Sequence, residues 1–189
     1  MRLFIAIELP AEIKRQLEKM DMRMSGCRWV PAEQIHLTLA FLGEVDGVTL
    51  KRLTGALAAI RAPGFTLRFS GTGCFPDRRR PRILWAGLEP QPKLDALVSL
   101  VREAVLACAI PQEERPFSPH ITLARLKLPA PREVEAFLMG NRALELPPAD
   151  VREFVLFESS LTSRGAVHTP VKAFPLAARP ISDKTPQGT

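Results

Sequence analysis

Apolar positions along the chain switch repeatedly between period two and the helical period, and the switches outline alternating strands and helices. Leu3 to Leu9 reads as a strand ended by Pro10, and residues 11–24 set Ile13, Leu17, Met20 and Met24 at helical spacing. Residues 34–42 form a strand closed by Gly43, and residues 48–61 a helix stopped near Pro63 and Gly64. Strands are predicted over 65–70 and 83–88, with the most amphipathic helix of the chain at 93–109. A proline-bounded loop, 111–119, leads into a strand at 120–126, then a short helix at 132–139. Residues 151–157 and 167–174 read as a strand pair. That late hairpin argues for an α+β fold over a doubly wound parallel sheet.

The chain has 189 residues, of which 46% are hydrophobic and 24% charged. This composition excludes a disordered chain, because enough apolar surface exists to offset the entropy of ordering. One domain is predicted over residues 1–178, with a frayed polar tail at 179–189. No stretch approaches the ~18 apolar residues that span a membrane. The apolar run that opens the chain is too short for a signal-peptide core, so a cytoplasmic protein is expected. Cys27, Cys74 and Cys108 are odd in number and widely spaced, which fits reduced structural thiols. The net charge of +6 favours an anionic partner. Neither G-x-G-x-x-G nor G-x-x-x-x-G-K-[ST] occurs, which removes dinucleotide and P-loop chemistry.

The informative feature is an internal repeat. HLTLAFL (His36–Leu42) and HITLARL (His120–Leu126) agree at five of seven positions. The chain holds three histidines, and two of them open these copies. Side chains alternate faces along a strand, so His36 and Thr38 point one way while Leu37 and Leu39 point the other. His120 and Thr122 repeat the pattern. Two such strands, 84 residues apart, can face each other across a cleft between similar halves. Two imidazoles flanking one phosphate can divide general acid and general base work, each worth typically ~10²–10⁴-fold. Threonine hydroxyls can donate to the non-bridging oxygens, where charge accumulates. The sequence has no dense Asp/Glu/His cluster, so metal-free catalysis without a cofactor is expected.

The paired H-x-T-x motifs resemble the 2H phosphoesterase superfamily. Within it, RLFIAIELP, HLTLAFLGEV and FSPHITLAR resemble the LigT-like RNA 2′,3′-cyclic phosphodiesterases, also called 2′-5′ RNA ligases. The resemblance runs from Met1 to about Phe174. It implies a bilobal fold: two pseudo-symmetric antiparallel sheets, flanked by helices, with a central cleft. It implies hydrolysis of a terminal ribose 2′,3′-cyclic phosphate to a 2′-phosphate, with reversible 2′-5′ joining of RNA ends as a second activity. It assigns His36 as proton donor to the leaving 3′ oxygen and His120 as proton acceptor from water. The motif residues themselves are symmetric about that choice. Thr38 and Thr122 would hold the phosphate. The residues five after each histidine, Phe41 and Arg125, would stack on a base and pair with phosphate. Strict alternation puts both on the wrong face, so these roles require a bulge or a strand end. The implied partners are RNA ends or tRNA fragments bearing a 2′,3′-cyclic phosphate. A monomer is expected.

Other residues stay outside this pattern. His168 lacks the H-x-T spacing and reads as a structural or surface histidine. Asp77–Arg82, with four arginines and one aspartate, carries a net +3 and is either a solvated loop or a track for an RNA backbone. Trp29 and Trp85 are candidate stacking platforms, though Trp85 sits in an apolar strand and core packing is expected of it. Two other functions compete: a 2H phosphodiesterase acting on a small nucleotide cyclic phosphate, and a non-catalytic RNA-end binding module.

Overall fold

The structure is a computed structural model, and it describes residues 1–127, 131–162 and 165–178. The tail expected at 179–189 lies outside the described residues. The elements in chain order are β1 (Arg2–Glu8), α1 (Ala11–Glu18), β2 (Cys27–Trp29), β3 (His36–Glu44), α2 (Gly47–Ala58), β4 (Phe65–Leu67), β5 (Phe69–Phe75), β6 (Ile83–Leu88), α3 (Pro92–Ala107), β7 (His120–Leu126), α4 (Pro131–Gly140), β8 (Ala149–Val151), β9 (Glu153–Thr162) and β10 (Gly165–Pro175).

Two four-stranded antiparallel sheets carry the fold, in the orders β10-β9-β1-β3 and β2-β7-β6-β5. Strands β4 and β8 form a small third sheet. The two motif strands thus fall in different sheets, and they approach within 8 Å of each other between Cα atoms. This is the α+β, two-sheet arrangement that the resemblance implied.

The alternation of β1 explains how the first sheet works on both sides. Leu3, Ile5 and Ile7 enter the main core. Phe4 and Ala6 face the other way and join Val155 and Phe157 in a separate small apolar cluster. In the main core, Leu94, Leu97, Val98, Val101 and Val105 give α3 a buried stripe, and it packs against α2 and β3. Each leucine so buried contributes about 1.5–3 kcal/mol. Helix α2 starts at Asp46, whose Oδ1 accepts from Val48 N at 2.8 Å and Thr49 N at 2.9 Å.

Helix α1 stops at Glu18, short of the expected residue 24. Arg23 then takes a left-handed φ of 53°, which no continuing helix allows, and Met24 reaches the core from irregular chain. The strand expected over 65–70 is two strands: β4 pairs with β8, and β5 joins the second sheet. The cysteines are free, as expected of structural thiols. Among the described residues, no helix is long and apolar enough to cross a membrane.

Candidate active site

Each motif histidine is the first residue of its strand, His36 on β3 and His120 on β7. The two repeats have the same burial sequence. In both, the histidine and threonine are half-buried, the residues after each are buried, and the fifth residue after the histidine is exposed. The reason is a bulge at the same place in each copy. On β3, Ala6 pairs with Thr38 and Ile5 with Ala40, so Leu39 is the extra residue. On β7, Trp85 pairs with Thr122 and Leu84 with Ala124, so Leu123 is extra. One inserted residue shifts the phase of the alternation. Phe41 and Arg125 therefore return to the face of His36 and His120, as their expected roles require.

Both imidazoles are pinned from behind. Ser118 O accepts from His120 Nδ1 at 2.7 Å. The backbone of Gln34 accepts from the His36 ring in the matching position, two residues upstream. For His120 this fixes the tautomer: with Nδ1 donating, a neutral ring presents the lone pair of Nε2. That is the state a proton acceptor needs.

The surroundings of the two rings differ. His36 stacks on Phe4 at 4.9 Å between centroids, with Phe157 at 6.4 Å and the edge of His168 at 5.2 Å. Burial pushes its pKa down to about 4, and His168 and then Lys14 reinforce the shift. The Gln34 bond and Glu8 oppose it. Glu8, opposite His36 on β1, is itself held by Lys14 Nζ at 2.6 Å. His36 is thus neutral in the free protein at neutral pH, and an anion placed beside it would favour its charged form. Among the described residues, His120 has one aromatic neighbour, Phe75, edge-on at 4.9 Å. Arg28 lies directly opposite Arg125 on the β2–β7 pair, so the second motif faces a cationic strip.

The chain matches the family model for LigT-like phosphoesterases over residues 7–85 and 88–168. It belongs to that family. It is 40% identical over 187 residues to the RNA 2′,3′-cyclic phosphodiesterase of Thermus thermophilus, covering 93% of this chain and 90% of that protein. The Escherichia coli protein of the same name is 35% identical over 185 residues, covering 93% and 96%. Among solved structures, E. coli LigT in its apo form matches with a TM-score of 0.74 at 34% identity, covering 93% of this chain and 96% of that one. The form complexed with 3′-AMP matches with a TM-score of 0.73 at 36% identity, covering 93% and 97%.

Two readings of the sequence change in this LigT-like site, both of tryptophans. His168, expected to be a structural or surface histidine, is half-buried and structural. Strand β10 brings it to the His36 cluster, where Phe4 meets it edge-on at 4.8 Å and its Nδ1 is buried without a protein partner. Trp85 is half-buried on the His120 face, opposite Thr122, rather than in the core. Its indole lies across Gly73, where a Cβ would collide with the six-membered ring. Trp29 instead packs edge-on to Phe137 at 5.5 Å, against the main core. The alternation of ILWAGL already separates Trp85 from buried Leu84 and Ala86, and glycines at 73 and 87 were the second signal. Among the described residues, no three His, Cys, Asp or Glu side chains are grouped to hold a metal ion.

Proposed function

We propose that this LigT-like enzyme hydrolyses terminal RNA 2′,3′-cyclic phosphates to 2′-phosphates, with His36 and His120 as the acid–base pair. Water attacks phosphorus as His120 Nε2 takes its proton. The P–O3′ bond breaks, and His36 gives a proton to the leaving 3′ oxygen. The substrate's negative phosphate supplies the charge that brings His36 to its protonated form. Thr38 and Thr122 donate to the non-bridging oxygens, Arg125 pairs with the phosphate, and Phe41 stacks on a base. A ribose 5′-hydroxyl in place of water leads by the same proton transfers to a 2′-5′ linkage.

The observation that carries this reading is the duplicated bulge, which gives each motif strand one face with a histidine, a threonine and an exposed fifth residue. Relatives named RNA 2′,3′-cyclic phosphodiesterase over nearly the whole chain support it. The reading takes residues 1–178 as one catalytic unit, acting as a monomer in the cytoplasm on RNA ends or tRNA fragments.

The deciding experiment is product analysis with a 2′,3′-cyclic-phosphate oligonucleotide in the presence of EDTA. Expected is a 2′-phosphate, formed at an undiminished rate. A 3′-phosphate product, or a rate abolished by chelation and restored by metal, overturns the reading. A binding module would retain the oligonucleotide unchanged. Size-exclusion chromatography with light scattering should give a mass near 20.9 kDa.

A further inference from the structure

We propose that the basic concavity at the far end of β7 is a phosphate subsite that holds the RNA backbone beyond the reactive ribose, and so selects oligonucleotides over mononucleotides. The inference rests on the function proposed above and adds the length of its substrate.

Strand β7 is a direct line from the chemistry to this concavity. It runs from His120 through Thr122 and Arg125 to Leu126. There the β5–β6 loop is sewn onto its end: Arg82 O accepts from Leu126 N at 2.8 Å, and Arg82 Nη1 donates to Lys127 O at 3.3 Å. Beyond lies a concavity of about 270 Å³, lined by Arg78, Arg79, Arg80, Arg82, Lys127 and two prolines. The loop has a defined shape, because Asp77 Oδ1 accepts from Arg79 N at 2.7 Å and Arg80 N at 3.0 Å. That use keeps the Asp77 carboxylate on the backbone. Glu135 meets Arg78 at 3.5 Å.

Five cationic side chains thus line a hollow in which one ion pair is formed among the described residues. Clustered like charge costs free energy unless an anion fills it. The same conflict recurs between the hollow and the site, where Arg28 and Arg125 stand directly opposite each other and both are exposed. Like charges in that register repel. The two places form one strip, with Arg125 and Lys127 about 7 Å apart along the strand. From His120 to Lys127 the strand spans about 23 Å, far beyond one nucleotide. A polyanion lying along β7 satisfies both places at once; a mononucleotide reaches only the first. Recognition would be of phosphates, hence indifferent to base sequence and sensitive to salt.

The test compares kcat/KM for a short oligonucleotide ending in a 2′,3′-cyclic phosphate with that for a nucleoside 2′,3′-cyclic phosphate, across a KCl series. It uses the full chain, the R79A/R80A variant and the charge-preserving R79K/R80K variant. Expected is a loss of about tenfold or more on the oligonucleotide at low salt for R79A/R80A, with a log–log salt slope shallower by about 1.4, or ~0.7 per lost phosphate contact. The mononucleotide rate should stay within twofold, and R79K/R80K should recover most of the loss. Equal losses on both substrates, or an unchanged oligonucleotide slope, reject the subsite; the second result leaves the hollow to an acidic protein surface. If the unaltered chain turns over neither substrate, the proposed function fails. Oligonucleotide binding by fluorescence anisotropy then still judges the hollow: weaker binding by R79A/R80A upholds it, and equal affinity rejects it.

Discussion

The strands β3 and β7 carry the same motif, the same bulge and the same burial sequence, yet they sit in opposite environments. His36 is enclosed by Phe4, Phe157 and His168, and its pKa lies at about 4. His120 meets Phe75 edge-on and heads a strand that runs into arginines. The local sequence therefore builds two equal presenting devices, and the neighbouring strands make them unequal. An apolar enclosure suits a group that is to be charged only when an anion arrives. A ring fixed by Ser118 with Nε2 free suits a standing base. The difference between two copies of one motif comes from what is placed around each.

The largest expected effect tests the pair itself. His36→Ala and His120→Ala should each lower kcat/KM on a cyclic-phosphate oligonucleotide by ~10²–10⁴-fold. Product affinity should change far less. Full activity in either variant would falsify the acid–base pair.

Next comes the enclosure of His36. Its folded pKa of about 4 lies below the unfolded value of ~6.5, so in between the unfolded chain binds the extra proton. Stability is thus fully present above pH ~6.5 and falls by up to about 3 kcal/mol as pH drops through ~4. Burial lowers His168 as well, so its contribution has the same sign. Urea midpoints between those pH values should show the slope, and His36→Gln should remove most of it. A flat wild-type profile would mean that the ring is not enclosed in solution.

Smaller effects separate the two fifth positions. Arg125→Ala should cost ~1.5–3 kcal/mol of transition-state stabilisation, read as kcat/KM, if the proposed charged hydrogen bond to phosphate is what it supplies. Phe41, which is 70% exposed, should act through stacking worth ~1–3 kcal/mol per base. Phe41→Ala should accordingly raise KM with kcat little changed. If the two substitutions give the same kinetic signature, the asymmetry between the strands ends at the histidines. The smallest effect belongs to His168→Gln, which should raise the titration of His36 in imidazole NMR by removing a like charge. No movement would make His168 a packing residue alone.

Much of this site was legible because its parts are local. Strands β6 and β7 begin and end where their alternation says, and the repeat in β3 and β7 marks the chemistry without any tertiary information. The bulges were legible only as a requirement, since a strand does not announce where its partner skips a residue. β2 and β8 are three residues each, too short to show a period. His168 arrives by two pairings: β10 with β9, the late hairpin already legible in the sequence, and β9 with β1, a contact that spans most of the chain. Nothing near residue 168 encodes the second.

The flat lie of Trp85 on Gly73 has a consequence for shape. Gly73 lies on β5, beside the Trp85 strand β6 and two strands from the second motif on β7, and its bare backbone lets the indole lie flat. Any residue but glycine at 73 would drive a Cβ into the six-membered ring, so Trp85, which stands opposite Thr122, would have to shift.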